Sequence, residues 1–336
     1  MSNKFKLKYN YVIVGAGKYY LIGYRDIMQL DNVSFHETHK DGFNTWLEKK
    51  LLRLNFSHFV NSIIKTPFAR YVYPKLFPHH FVDDKPLCFL FFSNSNPAVL
   101  NSSYFDYLRS KHKGIKLVMF YQDIVSSKPL LDINRIKSKM DLVVSYDKGD
   151  CEKYDLLYHP TPFSYVEVEE NKNLKNSDFY FCGYAKTRFP LVHRIYQQLS
   201  NQGYRCDFNL LGLPKNIAHI EGIHYIEEPF TYMENLQHVV KSSCVLEIMQ
   251  EGADGFTPRL WECITYGRHL LTNNKSIWDS PFFTEENIHS VSDIINGEIP
   301  LWLTNKAAYS PEMKDSLSPL HLLQFIESNL NDYSQL

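Results

Sequence analysis

The sequence predicts an α/β protein with two domains, each built on a parallel β-sheet. Short apolar runs alternate with longer amphipathic stretches, which is the pattern of successive strand–helix units. The 336 residues are too many for one ordinary domain and about right for two. A polar and charged stretch at 165–178 interrupts the periodicity and is the best candidate for the linker between the domains.

The first half of the chain contains the elements of the first predicted sheet. Helices are expected at 101–111, 133–139 and 148–154, since a residue that can cap a first turn precedes or opens each one. The predicted strands, which are short apolar runs bounded by polar residues, are 11–14, 87–92, 115–121, 142–145 and 156–158.

A longer segment at 44–77 lies between the first two predicted strands and mixes apolar residues with Lys and Arg. One interpretation is a pair of helices packed on the sheet with their charges in water. The other is an interfacial element that meets anionic lipid. The first interpretation is favoured because the charged residues do not clearly gather on one face.

A second series of strand–helix units follows the linker. Its expected helices are 188–202, 232–241 and 258–266, and its expected strands are 179–182, 206–211, 244–248 and 269–272. A last helix at about 320–329 has an apolar face, and the Pro-containing stretch before it is long enough to return the chain to the first domain. The predicted organisation is a first domain at 1–165, a second at 178–310 and a returning C-terminal helix in 311–336.

Composition and charge argue against several classes of function. The formal net charge is −1 and the isoelectric point about 6.9, so the strong field of a nucleic-acid-binding protein is absent. The six cysteines are scattered without metal-site spacing, which is typical of reduced thiols in a cytosolic protein. No apolar run approaches the roughly 20 residues of a membrane-spanning helix, and the N-terminus fits a strand better than a signal peptide. We therefore expect a cytoplasmic protein, with association at the inner face of the membrane left open.

The run from 254 to 274 carries the strongest indication of a binding site. Thr257 before Pro258 predicts a helix start, and a helix N-terminus facing a cleft favours an anion such as phosphate. Arg259 adds a cation in the first turn, and Glu262 follows on the same face, where its carboxylate could accept both hydroxyls of a ribose. Taken singly, Arg259 and Glu262 could be a surface pair. Together in a strand–loop–helix–strand setting they favour a nucleotide site.

A second loop supports the same site. Gly183, Lys186 and Arg188 follow the first strand of the second predicted sheet, at the edge where α/β folds bind ligands. Glycine lets the backbone approach a ligand, and the two basic residues can neutralise a diphosphate. The alternative is an ordinary loop with basic residues on its surface. The nucleotide-site interpretation is preferred because Arg259 would add another cation at the same crevice.

Asp254, Gly255 and Phe256 lead into the helix predicted at 258–266, which carries Glu262 and ends before Gly267. This motif resembles the C-terminal domain of many GT-B glycosyltransferases. There, an acidic residue, a Gly and an aromatic residue lead into a helix whose Glu stands eight positions after the first acid. This chain has Asp254, Gly255, Phe256, Glu262 and then Gly267 at that spacing. Asp254 replaces the Glu that retaining families usually carry, so the resemblance leaves retention or inversion of stereochemistry open.

Five blocks occur in order over most of the chain: Tyr121-Gln122-Asp123; Ser145, Tyr146, Asp147 and Asp150; Phe181 and Gly183 to Arg188; Tyr232, Glu234, Asn235 and Leu236; and the run that contains Thr257. They give a closer resemblance, to bacterial capsule and lipopolysaccharide glycosyltransferases. It implies the GT-B fold, with two Rossmann-like domains whose parallel sheets face each other across a cleft. It also implies sugar transfer from a nucleotide-sugar to a polysaccharide or lipid-linked saccharide, without identifying the sugar. The implied donor-binding residues are Gly183, Tyr184, Lys186, Arg188, Asp254, Thr257, Arg259 and Glu262.

The glycines after the first strand, Gly15 and Gly17, do not complete a dinucleotide fingerprint, because its third glycine would fall at Tyr20. A Gly-rich first turn is expected on the acceptor side of GT-B enzymes, and both glycines are assigned there. We expect no metal and no cofactor, since no Asp-x-Asp ends a predicted strand and basic residues can stabilise the leaving group.

An inverting transfer also needs a base for the acceptor hydroxyl, whereas a retaining one does not. Asp123 is the first candidate because it ends an apolar strand at the cleft edge of the first domain, although it could equally cap the loop before Lys128. His36 and Asp26 are weaker candidates.

Two other classes of function stay open. A non-catalytic GT-B-like scaffold would serve a polysaccharide-assembly complex, but it has no physical need to keep so many charged side chains at one cleft. A nicotinamide-dependent enzyme would use Gly15 and Gly17, and the incomplete fingerprint weighs against it.

Overall fold

The computed structural model of the protein describes residues 6–15, 22–57, 68–213, 219–249 and 255–332. Contacts between residues divide the chain into two compact units. The first unit combines Met1–Ser164 with Ser318–Leu336, and the second is Tyr165–Leu317. The predicted linker at 165–178 therefore begins where the first unit ends.

The first unit is built on a parallel sheet with six strands in its described part, in the order β2-β1-β3-β4-β5-β6. Its central strands are buried on both faces, which explains why they are almost continuously apolar in sequence. β2 was not predicted, because it is a half-buried edge strand in which Ser and His alternate with apolar residues. The strands are β1 (Asn10–Val14), β2 (Val33–His36), β3 (Leu87–Phe92), β4 (Lys116–Tyr121), β5 (Leu142–Ser145) and β6 (Leu157–Tyr158).

Helices cover both faces of this sheet. One face packs on a large apolar cluster that includes Leu52, Val72 and Phe105. The other face packs on Tyr24, Ile27 and the last helix of the chain, whose Leu322 and Ile326 are fully buried. The helices in the described part of the unit are Arg25–Met28, Trp46–Asn55, Ala69–Val72, Pro97–Leu100, Tyr104–Lys111, Ile133–Lys139, Lys148–Tyr154 and Pro319–Asp332.

The last helix is also tied to the first strand by polar contacts. The backbone N–H of Lys8 donates a 2.6 Å hydrogen bond to Glu327, and the Tyr11 hydroxyl lies 3.3 Å from the same carboxylate oxygen. The preceding short helix, Pro311–Ser316, belongs to the second unit, so the chain returns after Leu317.

The second unit repeats the architecture. Its described residues form a parallel sheet in the order β12-β11-β10-β7-β8-β9. β9 and β12 were not predicted, since each is an edge strand of only three residues. The strands are β7 (Ser177–Tyr184), β8 (Cys206–Leu211), β9 (His224–Ile226), β10 (Ser242–Glu247), β11 (His269–Thr272) and β12 (Ile288–Ser290). The helices are Phe189–Asn201, Tyr232–Lys241, Pro258–Tyr266, Val291–Ile295 and Pro311–Ser316.

The strand orders fix where a ligand can bind. In the first sheet, β1 lies between β2 and β3, and in the second, β7 lies between β8 and β10. Chain connections leave in opposite directions from these first strands, which opens a crevice at their carboxyl ends. Within the described ranges, no helix is both long and apolar enough to cross a membrane.

Candidate functional site

Two arginine side chains converge at the crevice of the second sheet. Gly183 lies near the end of β7, and a Cβ atom at this position would lie 3.3 Å from Arg188 Nη2 and 3.4 Å from Arg259 Nη2. The glycine therefore gives both guanidinium groups room to meet over the strand end. Arg188 ends the short 3-10 turn Lys186–Arg188, and Arg259 lies in the first turn of the Pro258–Tyr266 helix.

Backbone carbonyls, and no described carboxylate, hold the two guanidinium groups. Arg188 donates to the carbonyl oxygens of Ile248 at 3.0 Å and Tyr184 at 2.8 Å, and Arg259 donates to that of Cys182. In the part of the chain that the structure describes, neither arginine forms an ion pair, and the buried Nε of Arg188 has no hydrogen-bond partner. Burial, and then the charge of Arg259, lower the pKa of Arg188. Neither guanidinium group forms an ion pair with a described acid, although the charge of Arg259 reaches the buried Glu247 and Glu262.

The start of the Pro258–Tyr266 helix lies beside these cations. The Thr257 side chain accepts from the backbone N–H of Arg259 at 3.2 Å, and Pro258 occupies the first helical position. The helix ends at Gly267, which has the left-handed φ of 62° that favours glycine. The predicted start and end of this helix are confirmed. Its free N–H groups and its dipole make the N-terminus suitable for an anion.

Glu247, which was not predicted as a site residue, holds the start of the Pro258–Tyr266 helix by hydrogen bonding. It ends β10, is fully buried, and accepts hydrogen bonds from the hydroxyls of Thr257 and Thr272. Burial raises the pKa of Glu247, and the two hydroxyls and Arg259 oppose this effect. In the sequence, Glu247 is the one acidic residue of the otherwise apolar predicted strand 244–248.

Glu262 lies deeper than the sequence suggested. It is 2% exposed, so the surface pair with Arg259 is wrong. The Asn235 amide donates to Glu262 Oε1 at 3.1 Å, and the Tyr180 hydroxyl donates to the Asn235 oxygen at 2.9 Å. Burial raises the pKa of Glu262 to about 7, although Arg259, Tyr232 and Asn235 act to lower it.

The structure describes the remaining predicted donor-side residues to different extents. Tyr184 is 46% exposed at the end of β7, and its ring lies beside Gly212. The backbone of Lys186 begins the 3-10 turn, but its side chain lies outside the described part of the structure. Asp254 also lies outside the described residues. The structure therefore brings together Gly183, Arg188, Thr257 and Arg259, with Glu262 on the same helix.

The first unit has a separate cavity of about 290 Å³ at the carboxyl ends of β1 to β3. Gly15 lines it, and a Cβ atom there would meet Phe92 at 2.5 Å. Gly17 lies outside the described residues. His39, which was not predicted, also lines the cavity, and burial lowers its pKa. The lining residues that can form hydrogen bonds include Glu37, Thr38, His39, Asn94, Ser95 and Asn96.

Asp123, the candidate base, is 47% exposed and forms an ion pair with Lys128 at 2.7 Å. Lys128 also donates to Asn94, which lines the cavity.

His36, a weaker candidate base, is buried beside Ser34 and Asp41, and burial lowers its pKa. Burial raises the pKa of Asp26, which bonds to Ser318. No group of three or more described His, Cys, Asp or Glu side chains is arranged to hold a metal ion.

Two of the family-like blocks contain residues that stabilise the fold. Asp147 caps the Lys148–Tyr154 helix, and Asp150 accepts from the Val125 backbone at 2.6 Å. Glu234 and Thr231 form a capping box at the start of the Tyr232–Lys241 helix. Local structure thus accounts for these acidic residues without a substrate.

Searches of family models and of curated proteins found no match. Solved structures do match. An α-glucosyltransferase in complex with UDP and a 13-mer DNA has a TM-score of 0.56 at 11% identity, covering 96% of this chain and 99% of that chain. Trehalose-6-phosphate synthase OtsA has a TM-score of 0.54 at 10% identity, with coverage of 96% and 99%. A trehalose-6-phosphate structure from E. coli, bound with UDP-2-fluoro glucose, has a TM-score of 0.53 at 10% identity, with coverage of 95% and 98%.

The chain has the GT-B fold. Its two parallel six-stranded sheets, counted over the described residues, and the nearly complete coverage of both chains confirm the predicted fold class. At 10–11% identity, the similarity to these structures shows the fold alone.

Proposed function

We propose that this GT-B protein is a glycosyltransferase that moves a sugar from a nucleotide-sugar to a polysaccharide or lipid-linked saccharide in bacterial surface glycan synthesis. The observation that carries the proposal is the convergence of Arg188 and Arg259 over Gly183, beside the helix start at Thr257. The proposal places the reaction in the cytoplasm and includes no metal and no cofactor.

The two arginines would stabilise the leaving group. As the bond from the sugar to the nucleoside diphosphate breaks, negative charge grows on the phosphate oxygens. Two guanidinium groups that form no ion pair with a described acid, together with a helix N-terminus, would offset that charge where it forms. A diphosphate between the arginines would also relieve their mutual repulsion.

In this proposal Glu262 binds the ribose of the donor. The carboxylate is 2% exposed and one oxygen already accepts from Asn235. Contact with ribose hydroxyls therefore requires the surrounding side chains to move when the nucleotide enters. Gly183, Tyr184, Lys186 and Asp254 complete the proposed donor site.

The cavity of the first unit is the proposed binding site for the acceptor saccharide. Its amide, hydroxyl, imidazole and carboxylate groups suit the many hydroxyls of a sugar. Gly15 lines this cavity, and Gly17 is assigned to the same side of the reaction. Asp123 remains the proposed base for an inverting transfer.

Thermal unfolding with a panel of UDP, GDP, ADP and CMP tests the donor site. A nucleoside diphosphate that binds the native protein should raise the melting temperature. Arg188→Ala and Arg259→Ala should each weaken its binding by on the order of 10- to 100-fold, since a charge-assisted hydrogen bond contributes about 1.5–3 kcal/mol. Arg194→Ala is the matched control, because Arg194 is exposed on the Phe189–Asn201 helix.

The same panel separates the rival functions. No response to any diphosphate, or equal affinities in all three arginine variants, would contradict the donor site. Diphosphate binding without transfer or hydrolysis of any nucleotide-sugar would favour the scaffold. Tight binding of NAD(H) by fluorescence would favour the nicotinamide-dependent enzyme.

A further inference from the structure

An exposed surface of the first unit combines large apolar side chains with positive charges. Trp46 is 74% exposed, Leu47 58% and Tyr71 53%. Lys49, Lys50 and Arg53 on the Trp46–Asn55 helix are also exposed, as is Arg70 on the neighbouring Ala69–Val72 helix. We call the exposed side of the Trp46–Asn55 helix the Trp46 face, and its residues are Trp46, Leu47, Lys49, Lys50 and Arg53.

Helix geometry places the basic residues on one side. Positions 46, 49, 50 and 53 follow the spacing that aligns side chains along one face of the Trp46–Asn55 helix. The opposite side carries the buried Leu52 and Asn55, and Leu52 belongs to the apolar core. The expectation that the charges of this segment do not gather on one face is therefore wrong for this helix. The helix packs on the core and still presents an outward basic stripe.

The charges of this face are positive and uncompensated. Glu48, the acidic residue of the helix, is bound by Lys75 and by the backbone of Thr45, so it does not neutralise the stripe. The Lys50 ammonium lies 4.9 Å from the centre of the Trp46 ring, and the Arg70 guanidinium 4.7 Å from that of Tyr71. Over the described residues, none of the three basic side chains of this face forms an ion pair.

We propose that the Trp46 face binds the surface of an anionic lipid bilayer. Tryptophan and tyrosine rings favour the headgroup region, where one edge is apolar and the other is wet. Leu47 supplies an apolar side chain that can enter the acyl boundary, and Lys and Arg reach the phosphates on flexible stems. An exposed leucine gains nothing from nucleic acid, and the net charge of −1 gives no general attraction to it.

The same helix ends next to the cavity of the first unit. Phe56 follows its last residue, and the Phe56 ring contacts His39 edge-on, with ring centres 6.1 Å apart. His39 lines the cavity. A saccharide on a membrane lipid would thus be presented close to the proposed acceptor site. This last step rests on the proposed function, whereas bilayer binding does not.

Co-sedimentation of the full chain with vesicles tests the proposal. We expect binding to phosphatidylcholine vesicles that contain phosphatidylglycerol, weaker binding to phosphatidylcholine alone, and loss of binding at high salt. A triple variant, Lys49→Gln with Lys50→Gln and Arg53→Gln, should lower the partition coefficient about 100-fold, since each basic residue near an anionic surface contributes about fivefold. Trp46→Ala should lower it severalfold.

Matched controls lie in the second unit. Lys172→Gln with Lys175→Gln removes two exposed charges, and Leu301→Ala removes an apolar side chain that is 72% exposed. Both controls should bind vesicles as the wild-type protein does. An unchanged melting temperature, and an unchanged response to nucleoside diphosphates, would show that the variants fold and would separate this proposal from the donor site.

Three outcomes would overturn the proposal. The first is a wild-type protein that binds neither kind of vesicle. The second is a triple variant and a Trp46→Ala variant that bind anionic vesicles as tightly as the wild type. The third is tighter binding to a single-stranded oligonucleotide than to vesicles, lost in the triple variant, which would assign the face to nucleic acid.

Discussion

Replacing Glu262 by Gln should change how the stability of the second unit depends on pH. The carboxyl group is 2% exposed, and burial raises its pKa from the ordinary 4.5 to about 7. Between these two values the unfolded chain has lost the proton, whereas the native protein still holds it. The contribution of the protonated Glu262 to the free energy of unfolding is therefore fully present below pH 4.5 and is lost as the pH rises through 7. Gln has nearly the same shape, can accept from Asn235, and does not titrate.

The size of the effect follows from the same two values. A raised pKa of this extent corresponds to about 3 kcal/mol in the free energy of unfolding, most of which falls between pH 5 and pH 8. The stability of Glu262→Gln relative to the wild type should thus rise by most of that amount over this range. The structural cause is the energy of an ionised carboxylate in a buried site where Arg259 and Asn235 compensate it only in part.

Urea unfolding followed by tryptophan fluorescence can measure this difference. A Trp46→Phe background leaves Trp261, Trp278 and Trp302, which all lie in the second unit, so the signal reports that unit alone. Glu234→Gln is a control of opposite sign, because hydrogen bonds from Thr231 lower the pKa of Glu234. Its contribution is present above the ordinary value and is lost in acid. Parallel pH profiles for the wild type and Glu262→Gln would refute the reasoning.

Three further predictions concern the second unit. Burial, and then the nearby His269, lower the pKa of His289 from 6.5 to about 4. The contribution of His289 to stability is therefore present above pH 6.5 and is lost as the pH falls through 4. His289→Phe should reduce this loss of stability in acid, as measured by urea unfolding, and an unchanged loss of stability below pH 6.5 would contradict the prediction. Thr257→Val removes a helix cap and one partner of the buried Glu247, and should cost about 1–3 kcal/mol by the same assay, whereas a loss near zero would show that the start of the helix does not depend on this hydroxyl. Gly183→Ala would place a Cβ atom 3.3 Å from Arg188 and 3.4 Å from Arg259, and calorimetry should show severalfold weaker binding of a nucleoside diphosphate with an unchanged melting temperature; unchanged affinity would mean that the guanidinium groups need not meet over this residue.

The elements that the sequence predicted well are those whose signal is local. β3 and β4 are buried on both faces, so an apolar run marks them almost from end to end. The helix at Pro258–Tyr266 carries its own start and stop, in Thr257 and Gly267. The edge strands β2, β9 and β12 were missed because short strands with one pairing neighbour need few apolar residues.

The same distinction between local and distant signals applies to the site. Thr257 and Arg259 could be found because adjacent residues are enough to predict a helix start. Glu247 could not, since one of its two hydroxyl partners, Thr272, belongs to another strand and is 25 residues away. The burial of Glu262 depends on a second helix that carries Asn235. Helical spacing placed Glu262 near Arg259 and could not distinguish a surface position from a buried one.

The position of Asp123 at the end of a strand does not decide whether it is the catalytic base. Its ion pair with Lys128 must open before the carboxylate can accept a proton from an acceptor hydroxyl. If Asp123 is the base of an inverting transfer, Asp123→Asn should lower kcat on the order of 10²- to 10⁴-fold. Lys128→Gln should then free the carboxylate and retain kcat, since only the restraint on the base is removed. Melting temperatures of both variants control for folding. Equal small decreases in kcat would instead mean that the pair positions the loop and Asn94 at the cavity, and the base would have to be sought elsewhere.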